Sequence, residues 1–214
     1  MRAVAAALRT RPRVEGEREE QILDATVRLL VDVGYDRLTL DAVAAEAHAS
    51  KATLYRRWRG KAELVVDAVA RGKRCPEPVD VDSGSLRGDL MAIACSAGGF
   101  TDDVPLSVLA GLMTAMQHDA EFERAFRERF LAPRIDVLDA AFERARKRGE
   151  IESGVDIRLL FDVLPGMVLH RRLIMGGSVD DDFIARIIDG VLLPAAHRTE
   201  PVSRRTTTHP EREL

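Results

Sequence analysis

The side chains with the clearest chemical purpose lie between residues 39 and 64, TLDAVAAEAHASKATLYRRWRGKAEL. Within this run Lys51, Ala52, Tyr55 and Arg56 share one side of a short helical segment, and Leu54 and Trp58 take the other. A basic face that carries a tyrosine suits the major groove, which admits an α-helix and offers guanine O6 and N7 to cationic donors. Lys51 and Arg56 are the candidates for base edges, and the Ala52 methyl can meet a thymine. Tyr55 suits a phosphate or a thymine methyl; its alternative is a half-buried core ring. Thr39 and Ser50 are placed to cap helices, and a capping hydroxyl beside free N–H groups can also donate to a phosphate. Lys61 joins a cation to a helix N-terminus, a second setting for a phosphate. Thr53 belongs to the same DNA-binding set, as does Arg57, which with Arg59 reads equally as a backbone contact or a solvated charge.

Holding that face outward takes a helix-turn-helix. One helix offers Leu40, Val43, Ala44 and Ala47 as its apolar side, His48-Ala49-Ser50 makes the turn, and the second helix runs from Lys51 to about Arg57. Ahead of it, residues 15–33 form a helix with Ile22, Leu23, Ala25, Thr26, Leu29, Leu30 and Val33 as its buried stripe. Gly34 stands where a left-handed stop is wanted, and Tyr35 and Leu38 pack back on the core. A further helix runs from Lys61 to about Arg74, and the proline-rich, acidic run 75–84 is the candidate joint.

Beyond the joint, helices are expected at about 85–98, 104–117, 119–147, 156–175 and 180–194. Phe122, Phe126 and Phe130 recur at intervals of four in the longest, which Pro133 should kink or split. Pro165 and Gly166 should bend the next, and Arg146-Lys147-Arg148 before Gly149 reads as a helix stop. The chain is therefore expected to be all-α. Residues 1–14 are a flexible basic arm (or a tag), 15–74 a DNA-binding unit, 75–196 a second helical unit, and 197–214 a disordered tail.

Composition agrees with this organisation. The 214 residues carry a formal charge of −3, but residues 1–75 hold 15 Lys/Arg against 11 Asp/Glu, and the remainder 17 against 24. A basic balance that coincides with the helix-turn-helix is the electrostatic sign expected of a DNA binder, with a merely solvated surface as the alternative. Cys75 and Cys95 lack metal spacing and are expected to stay reduced. No apolar run reaches membrane-spanning length, so the expected location is cytoplasmic. No phosphate-cradling glycine loop, metal motif or nucleophile setting supports an enzyme.

The run through Ile22, Gly34-Tyr35, Leu38-Thr39, Val43-Ala44, Ala47, Ser50-Lys51, Thr53-Leu54-Tyr55, Trp58, Lys61 and Glu63-Leu64 resembles the DNA-binding domain of TetR-family transcriptional regulators. It departs from that pattern at His48, where glycine is usual, at Ala49 for valine and at Ala52 for glycine; His tolerates a positive φ better than most residues. The resemblance implies a homodimer that displays two reading heads to a double-stranded operator, and a C-terminal ligand-binding and dimerisation domain. It implies phosphate contacts for Thr39, Ser50, Tyr55 and Lys61 and base contacts for Lys51, Ala52 and Arg56. It implies packing across the dimer axis by the last two long helices, about 156–175 and 180–194, in which Leu159, Leu160, Met167, Ile174, Ile187, Ile188, Val191 and Leu192 are packing residues of either the monomer core or the dimer seam.

Flexible thioethers and aromatics suit an adaptable apolar cavity. Met113, Met116, Phe122, Phe126, Met167 and His170 are accordingly the candidate contacts for a largely apolar small-molecule effector, with ordinary core packing as the alternative for each. No cofactor or metal is expected. The functional expectation is a ligand-released repressor; an activator of the same fold, or a small-molecule-binding protein or enzyme with an incidental helix-turn-helix, are the alternatives.

Overall fold

The computed structural model describes residues 13–71, 82–95 and 105–197. The expected basic arm up to residue 12, most of the 75–84 joint, Cys75 and the tail from residue 198 lie outside the described residues. Described secondary structure is entirely helical.

α1 (Arg13–Arg37) is broken at Gly34, whose φ of 76° and ψ of 170° turn the chain. The positive φ is the one expected of a stop, but the extended ψ differs from a left-handed cap. The consequence is the same: Tyr35 and Leu38 are swung into the core, 6% and 1% exposed. α2 (Leu40–Glu46) ends in a Schellman closure, with the His48 N–H on the Ala45 carbonyl and the Ala49 N–H on that of Ala44. That motif needs a positive φ at His48, and the backbone there adopts 51°. Histidine thus fills the usual glycine position, its carbonyl held by Arg18. α3 (Lys51–Arg57) and α4 (Lys61–Ala70) follow.

The remaining helices are α5 (Leu86–Cys95), α6 (Leu106–His118), α7 (Ala120–Ala125), α8 (Ala132–Arg148), α9 (Ile157–Leu169), α10 (Asp181–Ile187) and α11 (Leu193–Ala196). π-helical stretches join α7 to α8 (Phe126–Leu131), extend α9 (His170–Ile174) and join α10 to α11 (Ile188–Leu192). The break expected at Pro133 takes the first of these forms. Proline has no N–H to give and its ring crowds the carbonyl four residues back, so the ladder widens ahead of it. The Ala132 N–H accordingly reaches five residues back, to the Arg127 carbonyl. α9 runs unbroken through Pro165, and α8 stops at Gly149 with left-handed geometry, as expected.

Two apolar cores result. The first gathers Ile22, Leu30, Val43, Leu54, Leu64 and Val65 from α1–α4 with Trp58 just after α3, and adds Val108, Leu112, Phe122, Phe126 and Phe130. The second joins Leu86, Leu90, Phe142, Leu160, Ile187, Ile188 and Leu192. An aromatic run stiffens the first: Tyr35 lies 4.7 Å from Phe122, Phe126 stacks on Phe130 at 4.8 Å, and the Arg134 guanidinium covers Phe130 at 3.8 Å. Burial pulls Arg134 down to about 10.

Tyr35 also carries a polar tie. Its hydroxyl donates to Asp119 Oδ2 at 2.7 Å, while Asp119 Oδ1 accepts the Glu121 and Phe122 N–H groups and caps α7. The Phe122 N–H and the tyrosine hydroxyl hold the Asp119 carboxyl below its ordinary value. Tyr35→Phe should therefore cost about 1–2 kcal/mol in urea unfolding at pH 7. A depressed carboxyl pKa contributes stability that is complete above the unfolded value of about 4 and is lost as pH falls through the folded one. The gap between wild type and variant should accordingly narrow toward pH 3; an equal gap at both pH values would contradict the assignment.

Candidate nucleic-acid interface

Short local bonds fix the ends of the two helices that frame the candidate surface. Thr39 caps α2, its hydroxyl accepting the Ala42 N–H at 3.1 Å. Ser50 caps α3 in the same way through the Thr53 N–H, and the two hydroxyls of Ser50 and Thr53 lie 2.8 Å apart. A serine that stays in the β region starts a helix without strain and satisfies one of its orphan donors.

α3 then divides as the residue spacing predicts. Leu54 is 0% and Trp58 1% exposed, whereas Tyr55 is 57% exposed. Trp58 is not within the helix; it is the extended residue that closes it, its N–H on the Leu54 carbonyl. Thr39, Ser50, Lys51, Ala52, Arg56 and Arg57 are exposed, and Thr53 is half-buried. Seven helical residues thus carry one anchored and one open side.

The cations on this surface are not equivalent. The Arg56 guanidinium makes no hydrogen bond or ion pair with another described residue, leaving its five donors for a base edge or phosphate. Lys51 Nζ sits 2.7 Å from Asp41 Oδ2 of α2, and that bond together with the aspartate's charge raises its pKa. Both partners are exposed, so solvent screens the pair. Arg57 is turned back to Glu19 of α1 at 2.8 Å. Lys61 is half-buried, its ammonium 4.2 Å above the Tyr35 ring and bonded to the Tyr35 carbonyl at 3.1 Å. Lys61 therefore braces the corner between α1 and α4, in addition to opening α4.

The six candidate effector contacts do not share one environment. Phe122 and Phe126 are buried in the first core, 1% and 8% exposed, and Met116 packs against it. Recurrence at every fourth residue describes a core stripe as well as a cavity wall, and here both rings lie buried among the residues of the first core. Met113 is half-buried on α6, and Met167 and His170 are exposed near the end of α9. The apolar residues of the last helices also separate into two sets. Leu160, Ile187, Ile188 and Leu192 fill the second core, while Leu159, Met167, Ile174 and Val191 are exposed.

Residue spacing did not point to Asp41, Glu19 or Asp67, which hold Lys51, Arg57 and Trp58. Each acts across a turn or between helices, beyond the reach of periodicity. Among the described residues no group of three or more His, Cys, Asp or Glu is arranged to hold a metal, and no helix is long and apolar enough to cross a membrane.

Against known proteins, residues 22–68 match the family described as "Bacterial regulatory proteins, tetR family". Residues 80–191 match the "Tetracyclin repressor-like, C-terminal domain". The chain is 39% identical to the DNA-binding transcriptional repressor TetR of Mycobacteroides abscessus, over 82% of this chain and 92% of that one. It is 35% identical to the HTH-type transcriptional regulator Rv1556 of Mycobacterium tuberculosis, over 89% and 93%. The crystal structure of the TetR family transcription regulator SCO0332 superposes with a TM-score of 0.59 at 33% identity, covering 84% of this chain and 98% of that one.

Proposed function

The chain belongs to the TetR family of DNA-binding transcriptional regulators, and on that premise we propose that it is a ligand-released repressor gripping a palindromic operator as a homodimer. The observation that carries the DNA contact is the open side of α3, where Tyr55 and Arg56 stand exposed while Leu54 and Trp58 fasten the helix from behind. Arg56 and Lys51 read base edges, and Ala52 packs on a thymine methyl. Thr39, Ser50, Thr53, Tyr55, Arg57 and Lys61 serve the phosphate backbone.

Two further features support the rest of the reading. Leu159, Ile174 and Met175 are more than half exposed, an apolar surface that a second copy would cover. The relative from Mycobacteroides abscessus is a transcriptional repressor, which favours repression over activation. An apolar effector bound in the C-terminal unit, beside the half-buried Met113, needs to shift affinity between two conformers by only roughly 1–3 kcal/mol to release the operator.

Selection of bound sites from a random duplex pool, followed by a screen for releasing compounds, tests this directly. The expected product is an inverted repeat whose half-sites lie about one helical turn or a multiple apart. Enrichment of single, unrepeated sites would contradict the dimer, and no enrichment would contradict the DNA-reading role of α3.

A further inference from the structure

Three parts of the molecule meet at one carboxylate. Asp67 of α4 accepts the Trp58 indole N–H on Oδ2 at 2.8 Å. Arg129, from the π-helical stretch before α8, forks onto the same group, Nε to Oδ1 at 2.8 Å and a second nitrogen to Oδ2. One turn earlier on α4, Glu63 accepts the Arg59 N–H at 3.1 Å and lies 3.8 Å from Arg129. The two residues that follow α3, Trp58 and Arg59, are thus tied to two carboxylates, and one guanidinium spans both.

The geometry points to Arg129 as a positioning residue for DNA recognition: through Asp67 and Trp58 it sets how α3 stands on α4. This rests on the reading of α3 as the DNA-binding helix and names the route by which the C-terminal unit reaches it. Trp58 is 1% exposed and its own N–H closes α3, so the indole cannot shift without moving the last turn of that helix. Arg129 sits in a stretch already widened to π geometry, with Pro133 close behind. A bidentate guanidinium fixes orientation as well as distance, which a lysine at the same place cannot do. Displacement of the Phe126–Leu131 stretch is therefore carried to α3 by a rigid fork, one carboxylate and one ring.

The test compares Arg129→Met and Arg129→Lys with wild type on the selected operator, at several salt concentrations, with fluorescence recorded in parallel. Trp58 is the chain's single tryptophan, so tryptophan emission comes from this ring alone. Arg129→Met should weaken operator binding roughly tenfold, change Trp58 emission, and leave the salt slope unaltered because no phosphate contact is lost. Arg129→Lys should fall between the two. In an Asp67→Asn background, where the amide oxygen can still accept the indole N–H, Arg129→Met should cost much less than it does in wild type, because only the looser 3.8 Å approach to Glu63 is left to lose. Unchanged affinity, unchanged emission or additive losses would overturn the proposal. So would a slope reduced by about one, the mark of a direct phosphate contact. Wild-type protein that selects no duplex would overturn the reading of α3 itself, a result distinct from a wild type that binds while Arg129→Met behaves like it.

Discussion

Phe122→Ala is expected to lower folding stability by about 3–5 kcal/mol, the usual cost of truncating a buried phenylalanine. The ring is 1% exposed and lies between Tyr35, 4.7 Å away, and Phe126, 6.3 Å away. It belongs to the core that also holds Leu54 and Trp58, so the cavity would open in the core that anchors α3. A domain of this kind carries only about 5–15 kcal/mol in total, so the loss is a large fraction of the whole. Urea unfolding measures it. A cavity wall would behave differently: the variant would keep its midpoint and change only its response to effector. That outcome would assign Phe122 to the effector site.

Arg56→Ala carries the second large effect, on recognition instead of folding. Its guanidinium is exposed and bonded to no other described residue, so stability should be nearly unchanged. Loss of a bidentate contact to a guanine edge should cost about 1–3 kcal/mol of discrimination at one base pair of each half-site. Site selection with wild type and variant side by side reads this as one relaxed column in an otherwise preserved consensus. A uniform loss across all positions would make Arg56 a phosphate contact.

Much of the helix-turn-helix was legible in the residues because its construction is local. Thr39 and Ser50 cap within three residues of themselves, His48 takes the positive φ its place requires, and Leu54 and Trp58 are buried at helical spacing. Such features depend on neighbours in sequence, and spacing reveals them. What stayed hidden is the bracing. Lys51 meets Asp41 across the turn, Arg57 meets Glu19 on α1, Tyr35 meets Asp119, and Arg129 meets Asp67. Exposed charges of either sign are common on helices, and periodicity does not say which pairs will face each other. The same limit explains Phe122 and Phe126. Spacing of four placed them on one apolar side, but only packing shows that Tyr35 and the first core cover that side.

Titration of the selected operator duplex over a range of salt concentrations, with wild-type protein and with Tyr55→Ala, tests the claim that the open side of α3 grips DNA. Wild type should bind with a logarithmic affinity that falls linearly and steeply with the logarithm of salt, and the variant should bind more weakly across many sequences. Failure of the wild type to bind double-stranded DNA at low ionic strength, or a variant indistinguishable from it, would contradict the account.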